Sequence, residues 1–174
     1  MKKNTTRDMM VTALLIGLAI IIPVISFRID LPPFSATVAS HVPIIIAMFI
    51  SPFSALFVAA GSALGFFFRG VPMVIVARAA THVIFAAAGA YMVRKRFNVV
   101  LTGALTMLIH ALAEAVVVIP FLSPEQNIIY FAFYVTGVGT ALHHVLDYII
   151  AFGVLSALSA SKAIPKMPKV WGKE

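Results

Sequence analysis

Long uncharged apolar runs, each about as long as a bilayer is thick, constrain this chain more than any other feature. From Met9 to Ser26 no residue carries a charge, and from Ala36 to Phe68 the only ionisable side chain is His41. A spanning helix needs roughly 20 mostly apolar residues, with a range of about 17–25. Across the chain 61% of residues are hydrophobic and 11% charged, whereas soluble domains hold about 45–50% and about 25%. A chain of 174 residues cannot hide that much apolar surface in its own core, so the bilayer acts as its solvent. The expected fold is an all-α integral membrane protein, with one bundle of six transmembrane helices occupying residues 1–174 as a single domain.

The segments follow from the breakers. The first runs about Met9–Ser26, and Phe27–Ser35 reads as a loop because Arg28 and Asp30 are charged and Pro32-Pro33 interrupts a helix. The second covers about Ala36–Ile50, ending at a tight Ser51-Pro52 turn. The third is Phe53–Phe68, the fourth Pro72–Val93, the fifth Phe97–Pro120, and Phe121–Asn127 reads as a loop. The sixth lies within Ile128–Ala160, which is long for one span. Either it tilts, or Ile128–Val135 forms a separate outer piece.

With both termini in the cytoplasm, Lys2, Lys3, Arg7, Arg94, Lys95, Arg96, Lys162, Lys166, Lys169 and Lys173 all face inward. Arg28 and Arg69 fall outside and Arg78 lies within a span, so ten of the 13 basic residues obey the positive-inside rule against two. A five- or seven-helix count would place one basic group on the wrong side. This arrangement makes the net charge of +7 a topology signal and not a nucleic-acid surface. The first run lacks an A-x-A-like cleavage site, which marks a retained helix and not a signal peptide. With no cysteine, disulfides and thiolate metal sites are excluded.

Ionisable groups at membrane depth are expensive and mark sites or pathways. Arg78 and Glu114 are each roughly 9 Å from the outer ends of their segments, and His41 roughly 8 Å, so three helices deliver one polar level. His82 and His110 lie one turn deeper, where His143 or His144 would join them. Arg78/His82, His110/Glu114 and His143/Asp147 are i, i+4 pairs, each on one helix face. Such stripes should converge inside the bundle.

The cluster suits an outward-facing pocket for a small anion. Arg78 would hold a carboxylate bidentately, with His41, His82, His110 and Glu114 lining the site and Asn127, Tyr130 and Tyr134 forming a lid. The plain alternative is a buried Arg78–Glu114 pair that only joins helices; His143, His144 and Asp147 either link helices or touch a partner. Imidazole and carboxylate also suit zinc, nickel or cobalt. However, there is no H-E-x-x-H motif, and H-x-x-x-E spacing is common by chance, so no metal site or cofactor is expected. No G-x-S-x-G, Walker A or G-x-G-x-x-G motif occurs. The chain is therefore read as no enzyme, and any ATP-driven transport would need hydrolysis by another chain. A transition-metal uptake subunit and a non-transport assembly or structural subunit are the alternatives.

Two small-residue steps remain. Gly61-x-x-x-Gly65 is expected to pack within the bundle, and Ala13-x-x-x-Gly17 to pack there or on a partner subunit.

The text from Leu31-Pro-Pro-Phe-Ser35 through Ala39-Ser-His-Val-Pro43, Ala47-Met-Phe-Ile-Ser-Pro52, Gly61-Ser-Ala-Leu-Gly-Phe66 and Pro72-Met-Val-Ile-Val-Ala-Arg78 to His82 resembles the substrate-binding S components of energy-coupling factor vitamin transporters. Within that family it is similar to the branch for small acidic vitamins such as pantothenate or niacin. The resemblance implies a prokaryotic cell-membrane protein that works with a transmembrane coupling subunit and two cytoplasmic ATPases. It also implies an outward-facing pocket lined by the first outer loop and later helices, and delivery by tilting of the whole subunit. The family's first helix carries an alanine-x-x-x-alanine docking motif; here Gly17 takes the second position after Ala13. Cobalt and nickel members begin with a Met-His pair, and this chain begins Met1-Lys2-Lys3, which argues against metal transport.

Overall fold

The computed structural model describes residues 5–161. Six α-helices and one hairpin follow in order: α1 (Thr5–Ile25), β1 (Arg28–Leu31), β2 (Phe34–Thr37), α2 (Val42–Ile50), α3 (Pro52–Phe68), α4 (Met73–Arg94), α5 (Val99–Val117) and α6 (Gly139–Ala160). Four helical stretches are long and apolar enough to cross a bilayer: Thr6–Ile25, Met73–Arg94, Val99–Phe121 and Ile129–Ala160. Helix α3 is apolar but shorter. Lys2, Lys3, Lys162, Lys166, Lys169 and Lys173, on which most of the topology count rests, lie outside the described residues.

The structure corrects the expected second span. Ala36 and Thr37 end strand β2, residues 38–41 turn, and α2 has only nine residues, about 13 Å of helix. Pro43 explains the late start, because proline fits the first turn of a helix and not its interior. Before it, Ala39 adopts a left-handed φ of 68°, which a helix cannot contain. Asp147 of α6 fixes this entry, its Oδ1 accepting from Ala39 N at 2.7 Å and its Oδ2 from His41 N at 2.8 Å. A carboxylate also complements the positive end of a helix dipole.

The expected loop Phe27–Ser35 is largely a β-hairpin. Arg28 pairs with Thr37 and Leu31 with Phe34 around the Pro32-Pro33 turn. Ser51 serves two helices at once: it closes α2, and its Oγ accepts from Ser54 N at 3.0 Å to cap α3, with Pro52 next. Asn98 caps α5 in the same way through Leu101 N.

Of the two readings for 128–160, the chain adopts the continuous helix. Its first part, Ile129–Val138, is π-helical and runs into α6 without a break. Thr136 Oγ1 donates to Phe131 O, five residues back, at 3.0 Å, the spacing of a widened turn.

Short α2 is surrounded by longer neighbours. Ile44, Ile45, Ala47 and Met48 pack with Ala55 and Val58 of α3 and with Phe85, Ala86 and Ala90 of α4. Neighbouring side chains crowd the place of a Cβ at Gly61, Gly65 and Gly89, because lipid supplies no hydrophobic drive and close approach must do the work. A Cβ at Gly61 would lie 2.7 Å from Ile16, at Gly65 2.5 Å from Ile20, and at Gly89 2.3 Å from Met48 Sδ. The Gly61/Gly65 step is thus the groove that takes α1. Gly17 meets nothing within 4 Å, and Ala13 is exposed, so that step lies on the outer face of α1 beside exposed Leu14, Leu18 and Ile21.

Candidate functional site

Two of the three members of the expected polar level meet. Arg78 Nε and Nη2 donate to Glu114 Oε2 at 3.0 and 2.7 Å. Arg78 is 5% exposed and Glu114 2%, so neither faces lipid. The hairpin closes over them: Arg78 Nη1 donates to Pro33 O and Ser35 Oγ, both at 3.3 Å, and Nη2 to Ser35 O at 3.0 Å. The guanidinium also lies 5.2 Å above the Phe34 ring. That ring rests on Gly139, where a Cβ would be 3.0 Å away. Thr140 Oγ1 donates to Glu114 Oε2 as a further partner.

His41 belongs to the layer below, contrary to its expected depth. Because α2 begins only at Val42, the His41 side chain reaches the other imidazoles, with Nε2 3.3 Å from His82 Nε2 and ring centroids 4.7 Å from those of His110 and His143. His82 Nε2 is 3.2 Å, and His110 Nε2 3.3 Å, from Glu114 Oε1. The i, i+4 stripes on α4, α5 and α6 therefore do converge.

Asp147 and His144 hold this layer from behind. Asp147 Oδ2 accepts from His41 Nδ1 at 3.0 Å and lies 3.4 Å from His143 Nε2, which also contacts Ser40 Oγ at 3.2 Å. His144 bridges His110 Nδ1 (3.0 Å) and Thr106 Oγ1 (3.1 Å).

A cavity of about 50 Å³ opens beside the upper layer, between the hairpin, α3 and α4. It is bounded by Arg28, Ser35, Ser40, Phe66, Arg78 and His143, with His41, His82 and Glu114 at its base. Asn127, Tyr130 and Tyr134 do not line it. Asn127 Oδ1 accepts from Tyr130 N at 2.9 Å as a helix cap, and the two tyrosine rings stack on one another, exposed. Sequence reasoning missed Ser35, Thr140 and Arg28 as site residues. Arg28 read only as a topology marker, because fifty positions separate it from Arg78 and only the fold brings both to one cavity. Asp30 takes its Nε and Nη2 at 2.8 and 2.6 Å.

The niacin transporter NiaX of Lactococcus lactis subsp. cremoris (strain MG1363) is 31% identical to this chain, over 94% of this chain and 79% of that protein. No family model and no solved structure matches the chain. At that identity and coverage the chain belongs to the family of that transporter, the niacin-like branch of the S components of energy-coupling factor vitamin transporters.

Proposed function

We propose that the chain is the membrane-embedded subunit that captures nicotinate from outside the cell. It spans the membrane six times with both ends in the cytoplasm, and it delivers the vitamin by tilting in complex with a coupling subunit and two ATPases. The observation that carries the substrate is the small cavity beside two arginines and the Phe66 ring, in a relative of a niacin transporter. A flat aromatic acid can stack on the Phe66 ring at this cavity, a contact that a long, flexible acid such as pantothenate does not use. The basic residues at segment ends support the orientation.

About 50 Å³ is below the ~150 Å³ that admits a benzene ring, so nicotinate enters by displacing the hairpin. The chemistry of the exchange is balanced. Glu114 occupies the Nε/Nη2 edge of Arg78, while Pro33 O, Ser35 Oγ and Ser35 O occupy its Nη1/Nη2 end. A substrate carboxylate replaces those neutral acceptors with one bidentate, charge-assisted pair and leaves the Glu114 pair intact. Arg28 is a second carboxylate partner, because Asp30 leaves its Nη1 without a hydrogen bond among the described residues.

Titration of the purified full chain with nicotinate, nicotinamide and pantothenate tests this reading. Nicotinate should bind tightest, and Arg78→Gln should weaken it about 10- to 100-fold, as expected for losing a charged hydrogen bond. Tighter pantothenate binding, or unchanged affinity in both Arg78→Gln and Arg28→Gln, would reject it.

A further inference from the structure

The imidazoles under Arg78 have more acceptors than protons, and the hydrogen-bond chain behind them shows why. Ionised Asp147 can only accept, so His41 carries its proton on Nδ1 and presents a bare Nε2. Thr106 Oγ1 gives its proton to Thr102 O at 2.8 Å and therefore accepts from His144 Nε2. His144 Nδ1 is then the acceptor for His110 Nδ1–H, which leaves His110 Nε2 bare. That atom is buried without a hydrogen-bond partner, 3.3 Å from Glu114 Oε1. His82 Nε2 completes the group, and one ligand atom from each of His41, His82 and His110 fits within a 4.8 Å sphere of mutual distance. With neutral rings, at most one proton is shared among these three imidazole nitrogens and the Glu114 oxygen that His82 and His110 approach.

We propose that a resident divalent transition-metal ion of the zinc class sits here, held by Nε2 of His41, His82 and His110, with Glu114 Oε1 beside the last two. Bonds of about 2.0–2.1 Å in a tetrahedron place neighbouring ligand atoms about 3.3–3.4 Å apart. His41 and His82 stand at that separation, 3.3 Å, and the three histidine ligand atoms lie within 4.8 Å of one another, so His110 closes in by a small side-chain shift, while Glu114 Oε1 lies 3.2 Å from His82 and 3.3 Å from His110. Asp147–His41 and Thr106–His144–His110 are the hydrogen-bonded backing that fixes tautomer and ring orientation in metal sites. The other group, His41, His143 and Asp147, is already explained by hydrogen bonds, since both Asp147 oxygens accept from α2's entry.

Charge gives the ion a role, and this part rests on the niacin reading. Among the cluster's formal charges Arg78 stands alone against Glu114 and Asp147, so with neutral imidazoles the site is net negative beneath a cavity meant for an anion. A divalent ion reverses that sign and leaves a single positive charge for a monocarboxylate.

The test uses the full chain purified in detergent through a tag without histidine, stripped with a chelator and titrated with Co²⁺ in the absence of nicotinate. One equivalent with the visible absorption of a low-coordinate cobalt site, displaced by Zn²⁺, is the expected result. His110→Gln and His82→Gln should abolish it. Thr106→Val, which removes only the backing, should weaken it about 10-fold. Failure of wild-type chain to bind Co²⁺ above the His110→Gln level overturns the proposal and assigns the missing positive charge to protonated imidazole. Equal binding in all variants overturns it too, because the metal then sits elsewhere. Nicotinate affinity, measured separately, should fall at least 10-fold in the stripped chain and return with Zn²⁺. If the metal binds but nicotinate does not, the substrate reading fails and the metal site stands.

Discussion

Two arginine–carboxylate pairs in this chain have nearly the same length and different surroundings. Arg28–Asp30 closes at 2.6 Å with side chains 40% and 53% exposed, and Arg78–Glu114 closes at 2.7 Å with 6% and 3%. Distance therefore says little about what each pair contributes. The first lies on the hairpin, two residues apart on one strand, where solvent screens it and the charges would be stable alone. The second joins α4 to α5 beneath the hairpin, where neither charge has an alternative partner in water. An exposed pair is worth about 0–1 kcal/mol, while removing one partner of a buried pair costs about 3–5 kcal/mol because the other charge is stranded.

The sharpest way to break this contrast is to truncate each pair in turn. Arg78→Ala or Glu114→Ala should destabilise the detergent-solubilised chain by about 3–5 kcal/mol, read by thermal or denaturant unfolding. The double change Arg78→Met/Glu114→Leu should cost less than either single change, because it strands no charge. A double variant as damaged as the sum of the singles would show that the pair's partners on the hairpin and Thr140, and not the pair, carry the cost.

Asp147 extends the comparison to a buried carboxylate whose donors are mostly backbone. It holds Ala39 N, His41 N and His41 Nδ1, so it sets the position of α2 and of His41 together. Asp147→Asn keeps the size but turns one oxygen into a donor facing a donor. The expected loss is about 1.5–3 kcal/mol. Protection of the α2 amides in hydrogen exchange should fall with it, a readout that a purely electrostatic role would not move.

Much of this was legible from periodicity and cost. Polar side chains at i and i+4 in otherwise apolar helices have to find each other, and Arg78 with Glu114 and His82 with His110 do so. The first outer loop and the second span were not legible, for a physical reason. Between Ala36 and His41 every residue is small, apolar or hydroxylated, which suits a helix in lipid as well as a strand. What decides the matter is Asp147, more than a hundred positions away, whose capture of Ala39 N and His41 N is a tertiary choice. His41 then drops into the lower layer, and the depth estimate counted from the wrong helix start. Asn127, Tyr130 and Tyr134 looked like a lid because they are amphipathic and near an outer end, yet the hairpin occupies that place. Gly61 and Gly65 packed as their spacing implied, against Ile16 and Ile20. The outward Gly17 lies where a partner subunit or lipid would meet it.

That difference between glycines is the next test. Gly65→Leu would force a side chain into Ile20 and should cost about 1–3 kcal/mol by overpacking. Gly17→Leu, with nothing within 4 Å, should leave unfolding within about 0.5 kcal/mol. If it also lowers assembly with the proposed coupling subunit, the outer face of α1 is a docking surface; if assembly and transport are unaffected, that face meets only lipid.

The smallest effect falls on the exposed pair. Asp30→Asn should change stability by less than about 1 kcal/mol, because Arg28 at the cavity rim keeps its solvent. Its consequence is kinetic. Removing the anion leaves an unopposed guanidinium beside the entrance, and steering of a carboxylate towards it should raise the association rate. The gain should shrink as salt rises, since charges at the surface are screened over about 10 Å at 0.1 M. Stopped-flow binding of nicotinate at low and high salt separates this from any change within the buried layer, which salt reaches far less. A faster rate that persists at high salt would mean that Asp30 acts by holding the hairpin shut, and the two pairs would then differ in exposure but not in function.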